Sequence, residues 1–157
     1  MTIDSTTTLF FDSASLFAAS HSPTGGSAYL ILVCQYGYLQ AMVSPDVLQE
    51  TERNLLEKST AAAFLRFRQL LADTPLLLVS APAEPLVRLY EPAFFEDGHV
   101  IASAISSNAQ YLITLDQPFA RRISASTLPI LALSPGAFLQ EVLPGHPDYE
   151  RIRRTVT

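Results

Sequence analysis

Five short apolar runs, "TTLFFD", "QAMVS", "PLLLVSAP", "YLITLD" and "PILAL", are separated by stretches with helical patterning. This alternation constrains the fold more than any other feature of the sequence. Strands that alternate with helices build a parallel sheet with helices on both faces, because each parallel pairing needs a crossover. With 157 residues, 48% of them hydrophobic, the chain fits one domain with a sizeable core. The expected architecture is a three-layer α/β/α sandwich around a mostly parallel sheet of about five strands, spanning residues 1–143, with a polar tail over 144–157.

Local signals place the helices. "SASLFAAS" follows the first strand, and "HSPTGGS" breaks it. "AYLILVCQYGYLQ" is apolar nearly all round and reads as a buried helix. In "SPDVLQETERNLLEKS", Ser44 is a natural N-cap, Pro45 fits the first turn and Asp46 suits the helix dipole. Val47, Leu48, Leu55 and Leu56 are expected to share its buried face. "TAAAFLRFRQLLADT", "EDGHVIASAISSNAQ", "QPFARRIS" and "SPGAFLQEVL" supply further helices. The proline-broken stretch from Pro82 to Phe95 reads as a short helix inside a loop. The tail "PGHPDYERIRRTVT" reads as mobile or partner-bound.

Two of the apolar runs finish on an aspartate, Asp12 and Asp116. In open parallel sheets, ligands bind at the carboxyl ends of strands, so both acids belong on the functional edge. Asp97, in the first turn of the "EDGHVIASA" helix, and Glu50, in the second turn of the "SPDVLQE" helix, can converge with them. Four carboxylates in one cleft repel each other unless a cation is bound, and oxygen ligands suit magnesium or manganese. Each acid also has a simpler role. An aspartate after a strand is as readily the N-cap of the next helix, Glu50 alone reads as a solvated helix residue, and Asp97 alone as a dipole partner. Thr114 shares the side of Asp116 by strand alternation.

These blocks together resemble the PIN-domain nucleases of bacterial toxin–antitoxin pairs. The resemblance runs from about Leu9 to Leu143. It rests on "LFFDSASLFAA", "VSPDVLQETERNLL", "EDGHVIASAISSNAQYLITLD" and "ILALSPGAFL". It implies that Asp12, Glu50, Asp97 and Asp116 are the metal-binding and catalytic acids, supported by Thr114 and Ser13. It further implies Mg²⁺- or Mn²⁺-dependent cleavage of single-stranded or structured RNA with one or two ions per site, dimerisation, and inhibition by an antitoxin protein. The chain departs from the family pattern at Ser13 and Ala14, where Thr and Asn are common. It departs again at Pro118, where a fifth acid sometimes stands.

Substrate phosphates call for positive charge near these acids. Arg121 and Arg122 follow Asp116 within two helical turns, and Arg53 lies at i+3 from Glu50. These three and Ser13 are the expected substrate contacts. Arg66 and Arg68 read as surface arginines, and His99 as turned away from Asp97.

Composition narrows the alternatives. A net charge of −5 with Lys58 as the only lysine excludes a general nucleic-acid coating protein. The single cysteine, Cys34, excludes an internal disulfide and a Cys/His zinc site. A phospho-receiver or a haloacid-dehalogenase-like phosphatase needs paired acids after the first strand and an active-site lysine, which "DSA" and the mid-helix Lys58 do not supply. The N-terminus carries no signal-peptide pattern and no apolar run is long enough for a membrane span, so a cytoplasmic protein is expected. Two rivals remain: a PIN-like module that binds RNA or protein without cutting, and a free-standing RNA-processing nuclease without an antitoxin.

Overall fold

The computed structural model describes residues 2–80, 82–94 and 97–157. Phe95 and Glu96, which the sequence reading assigns to the ends of two helices, lie outside the described residues.

The chain is α/β with a five-stranded parallel sheet in the order β3-β2-β1-β4-β5. The strands are β1 (Thr8–Phe11), β2 (Gln40–Val43), β3 (Leu77–Leu78), β4 (Tyr111–Ile113) and β5 (Leu131–Leu133). The chain leaves β1 in one direction to lay down β2 and β3, then returns to the other side of β1 for β4 and β5. That reversal makes a topological switch point between β1 and β4, which pair in parallel with Leu9 opposite Tyr111 and Phe11 opposite Ile113. β1 and β4 are buried almost throughout, which explains their unbroken apolar sequences.

The first crossover holds α1 (Ser13–His21) and α2 (Gly26–Gln35). α2 is shorter than its apolar sequence suggests. Gly37 adopts φ 85°, the Gly37 N–H donates to the Cys34 carbonyl, and the Tyr38 N–H donates to the Val33 carbonyl. This left-handed glycine cap stops the helix before Tyr36–Leu39. Cys34 is buried as expected, and burial pushes its thiol up to about 12.

α3 (Pro45–Lys58) and α4 (Ala61–Asp73) form the next crossover. Ser44 Oγ accepts the Val47 N–H at 3.2 Å, the cap read from the sequence. The buried row of α3 is Val47, Thr51 and Leu55, and the Thr51 hydroxyl donates to the Val47 carbonyl at 2.7 Å. Leu56 does not join that face but is 63% exposed. α1 packs on α2, α3 and α4, and α3 packs on α4.

β3 keeps only two residues of "PLLLVSAP", both exposed at the sheet edge. Over its described residues, 82–94, the proline-broken stretch is no loop with a short helix. It holds α5 (Glu84–Phe94), which carries Pro92 inside it and packs on α6 (Gly98–Ser106). After β4 comes α7 (Gln117–Ser124), and after β5 a short α8 (Pro135–Ala137) that runs into a π-helical turn, Phe138–Val142. The polar tail is also structured. It forms α9 (Tyr149–Thr155), which buries Ile152 and Val156 in the main core. His146 is buried too, with Nε2 2.8 Å from the Tyr38 carbonyl oxygen and Nδ1 accepting the Asp148 N–H. The docking rests on three apolar or anchoring residues that sit among charged neighbours in sequence. No helix among the described residues is long and apolar enough to cross a membrane.

Candidate active site

Asp12 and Asp116 stand beyond the carboxyl ends of the two central strands, at the switch point. Both are helix N-caps. Asp12 Oδ1 accepts the Ser15 N–H at 2.9 Å and opens α1. Asp116 Oδ1 accepts the Phe119 N–H at 3.1 Å and opens α7. The two roles weighed for these acids therefore coexist, since a carboxylate capping with one oxygen keeps the other for a ligand. β4 ends at Ile113, three residues short of Asp116. Leu115 is 43% exposed although it continues the apolar run of "YLITLD". The chain has left the sheet by then and turns outward into the cap.

Thr114 is fully buried beneath the pair. Its Oγ1 accepts the Asp116 N–H at 3.1 Å, and its side chain hydrogen-bonds the Asp12 carboxylate. Sequence reasoning names Ser13 as the hydroxyl beside Asp12, yet the direct partner is Ser15. Its Oγ lies 2.8 Å from Asp12 Oδ1 and 2.9 Å from the Ile113 carbonyl oxygen, one hydroxyl proton facing two acceptors. The readable signal was the N-cap spacing Asp-x-x-Ser.

Burial pushes the Asp12 carboxyl above its ordinary range. The hydrogen bonds from Thr114 and Ser15 hold it back down, and the charge of Asp116 adds to the rise. A buried carboxylate of this kind draws positive charge to itself, as a proton or as a cation.

A cleft of about 440 Å³ opens over this edge, and Asp12, Glu50, Asp97 and Asp116 all line it. Asp97 is the N-cap residue of α6 rather than part of its first turn, and it makes no side-chain cap bond. Gly98 explains its placement. A Cβ there would stand 3.1 Å from the Glu91 backbone N and 3.2 Å from the Val87 carbonyl oxygen, so the absence of a side chain lets α5 close against the start of α6. Among the described residues, no three His, Cys, Asp or Glu side chains converge tightly enough to form a single-ion ligand set. The four carboxylates share a cleft without sharing one coordination centre. The lining offers carboxylate, amide and hydroxyl oxygens with neither thiol nor imidazole, a donor set that fits a hard cation which keeps several of its waters.

Ser13 lines the same cleft. The structure does not bring the three expected arginines there. Arg53 is exposed on another side of α3, along a shallow groove with Leu56 and Glu57. Arg121 and Arg122 sit in the last turn of α7, at the end away from Asp116. Arg122 Cζ lies 6.0 Å from the Phe119 ring centroid, and Phe119 itself lines the cleft. The cation in the lining is Lys58, accompanied by Asn54. Sequence reasoning assigned neither to the site. The signal was present as a row, since Glu50, Asn54 and Lys58 recur every four residues and so share one helix face. Arg66 is structural, with Nε donating to the Ser20 carbonyl at 2.7 Å across to α1. His99 buries Nδ1 without a hydrogen-bond partner among the described residues.

No protein-family model matches the sequence, and no curated protein matches it. Solved structures do match in fold. PAE2754 from Pyrobaculum aerophilum aligns over 82% of this chain and 90% of its own, at 17% identity and a TM-score of 0.57. VapC20 from Mycobacterium tuberculosis, a sarcin–ricin-loop-cleaving toxin, aligns over 78% of this chain and 98% of its own, at 14% identity and a TM-score of 0.55. VapBC-1 from nontypeable Haemophilus influenzae aligns over 82% of this chain and 98% of the matched chain, at 13% identity and a TM-score of 0.52. All three are PIN-domain proteins.

Proposed function

From the PIN-domain fold that the chain shares with these three structures, we propose that it is a divalent-cation-dependent endoribonuclease and the toxin of a toxin–antitoxin pair. One observation carries the reading. Asp12, Glu50, Asp97 and Asp116, far apart in sequence, line a single cleft at the switch point of the sheet. With one lysine against four carboxylates in that lining, the cleft repels a phosphodiester until cations enter it.

Asp12 and Asp116 are the acids best placed to hold Mg²⁺ or Mn²⁺, with Glu50 and Asp97 closing the cleft from α3 and α6. A divalent ion held by these acids would supply Lewis acidity, lowering the pKa of a water and offsetting negative charge on the phosphate oxygens. The chain's own part is positional. The caps at Ser15 and Phe119 fix the two aspartates, and Thr114 locks their relative placement from below. VapC20 is a sarcin–ricin-loop-cleaving toxin, and RNA is the proposed substrate here, with an antitoxin as regulator and a homodimer as the assembled form.

A second reading has its own support. Since no three carboxylates converge among the described residues, a PIN-like module that binds RNA or protein without cutting fits the same fold. One assay separates the two. A mixed RNA pool is incubated with Mg²⁺ or Mn²⁺ and either the wild-type chain or Asp97→Asn. Cleavage by the wild type alone is the expected result. No cleavage by either protein favours the binding module, and equal cleavage by both removes the site assignment.

A further inference from the structure

The cleft does not stop at its carboxylates. It continues between α1 and α3, where Phe17 and Ala18 face Asn54 and Lys58. Glu50, Asn54 and Lys58 form one row, which carries the cleft wall about 12 Å along α3 at 1.5 Å per residue. Lys58 is exposed at the far end of that row. The ion pairs among the described residues are Arg88 with Glu84 and Arg153 with Glu150, so the Lys58 ammonium is not committed to an acid.

The opposite wall is aromatic and held in place. The His21 ring stacks on Phe17 with centroids 5.7 Å apart and planes 15° from parallel. His21 Nδ1 lies 2.8 Å from Ser59 Oγ, which fastens the end of α1 to the end of α3. Arg66 Nη2 adds a bond to the His21 carbonyl at 3.1 Å. A fixed aromatic wall opposite an uncommitted ammonium is the combination that holds unpaired nucleic acid, with the ring flanking a base and the cation meeting the backbone.

We propose that the α1–α3 arm of the cleft is a subsite for the nucleotide flanking the scissile phosphate of unpaired RNA. Lys58 meets the flanking phosphate, Asn54 hydrogen-bonds the sugar-phosphate between it and the carboxylates, and Phe17 forms the wall against the base. The proposal rests on the nuclease reading and adds to it the side of the cleft along which the strand runs. It makes Lys58 a binding residue rather than a member of the reacting centre.

The test is steady-state cleavage of a single-stranded RNA oligonucleotide with Mn²⁺ by the wild type, Lys58→Gln and Lys58→Arg. Losing one charge-assisted contact raises KM about tenfold in Lys58→Gln, with kcat close to wild type. Lys58→Arg restores KM. The slope of log affinity against log salt becomes shallower by about 0.7 in Lys58→Gln, the value for one phosphate contact on a single strand. The same labelled oligonucleotide is titrated by anisotropy into Asp97→Asn and into Asp97→Asn with Lys58→Gln, which reads the subsite without any cutting. If the wild type does not cut but Lys58 still sets the salt slope of binding, the nuclease reading fails and the subsite stands. An unchanged KM and an unchanged salt slope in Lys58→Gln overturn the subsite, whatever the wild type cuts.

Discussion

Thr114 hydrogen-bonds the buried Asp12 carboxylate while its own oxygen accepts the Asp116 N–H. A residue of β4's end therefore ties the acid that follows β1 to the acid that follows β4. Replacing Thr114 with Val keeps the shape but removes both bonds and leaves the Asp116 N–H without its acceptor. The expected cost is about 1–3 kcal/mol of stability, together with weakened Mn²⁺ binding. Thr114→Ser keeps the hydroxyl and recovers most of both. Thermal melts with and without Mn²⁺ check this, and a Thr114→Val protein with wild-type metal response would contradict it.

Asp12 carries a carboxyl whose folded-state pKa lies above its unfolded value because it is buried. Below the ordinary carboxylate range it is protonated in both states and adds no penalty. As pH rises through the folded pKa it must ionise in a buried place, so stability falls with rising pH. Asp12→Asn cannot ionise and still offers an oxygen to the Ser15 N–H. In metal-free buffer at neutral pH the variant should therefore melt at or above the wild type, with the gap shrinking towards pH 4. Mn²⁺ should stabilise the wild type and not the variant. A variant that melts well below the wild type at every pH would show that Asp12 is held by its bonds and not opposed by burial.

Gly98 sits where a Cβ meets backbone atoms of Glu91 and Val87. Backbone of a packed helix yields little, so Gly98→Val should push α5 and α6 apart and cost about 1–3 kcal/mol. Asp97 is the adjacent residue, so RNA cleavage should drop with it. Chemical denaturation gives the stability change. A fully stable Gly98→Val protein would mean that α5 moves freely.

The C-terminal helix is docked through Ile152, which is fully buried, and Val156. Ile152→Ala should cost about 2–5 kcal/mol as a buried large-to-small change. Limited proteolysis should then cut first within residues 144–157, whereas in the wild type those bonds stay protected. Early cleavage of the wild-type tail would remove the docking described above.

Much of this arrangement was legible in the sequence because it is local. The Ser44-Pro45 cap, the apolar strands and the acids that follow two of them are signals written within a few residues. The parallel sheet with helices on both faces followed from the alternation of strands and helices, which leaves few ways to wind such a chain. The tail differs for the opposite reason. Ile152 and Val156 stand one helical turn apart, but a single turn among arginines is too brief a pattern to mark a docked helix, and their contact with distant core residues makes them structural.

The α3 helix shows where the sequence stopped. It contains a buried row, Val47–Thr51–Leu55, and the row one residue earlier, Glu50–Asn54–Lys58, both readable as repeats of four. Arg53 was a reasonable phosphate contact at i+3 from Glu50, yet it faces another groove, and Lys58 lines the cleft instead. The sequence by itself determined the four-residue repeats along α3, the two acids that follow strands and the acid that opens α6. Only the tertiary structure decided which flank of the buried row looks onto the switch point. Helical geometry fixes the angles between side chains on one helix, but the rotation of that helix against the sheet is set by packing with elements far along the chain.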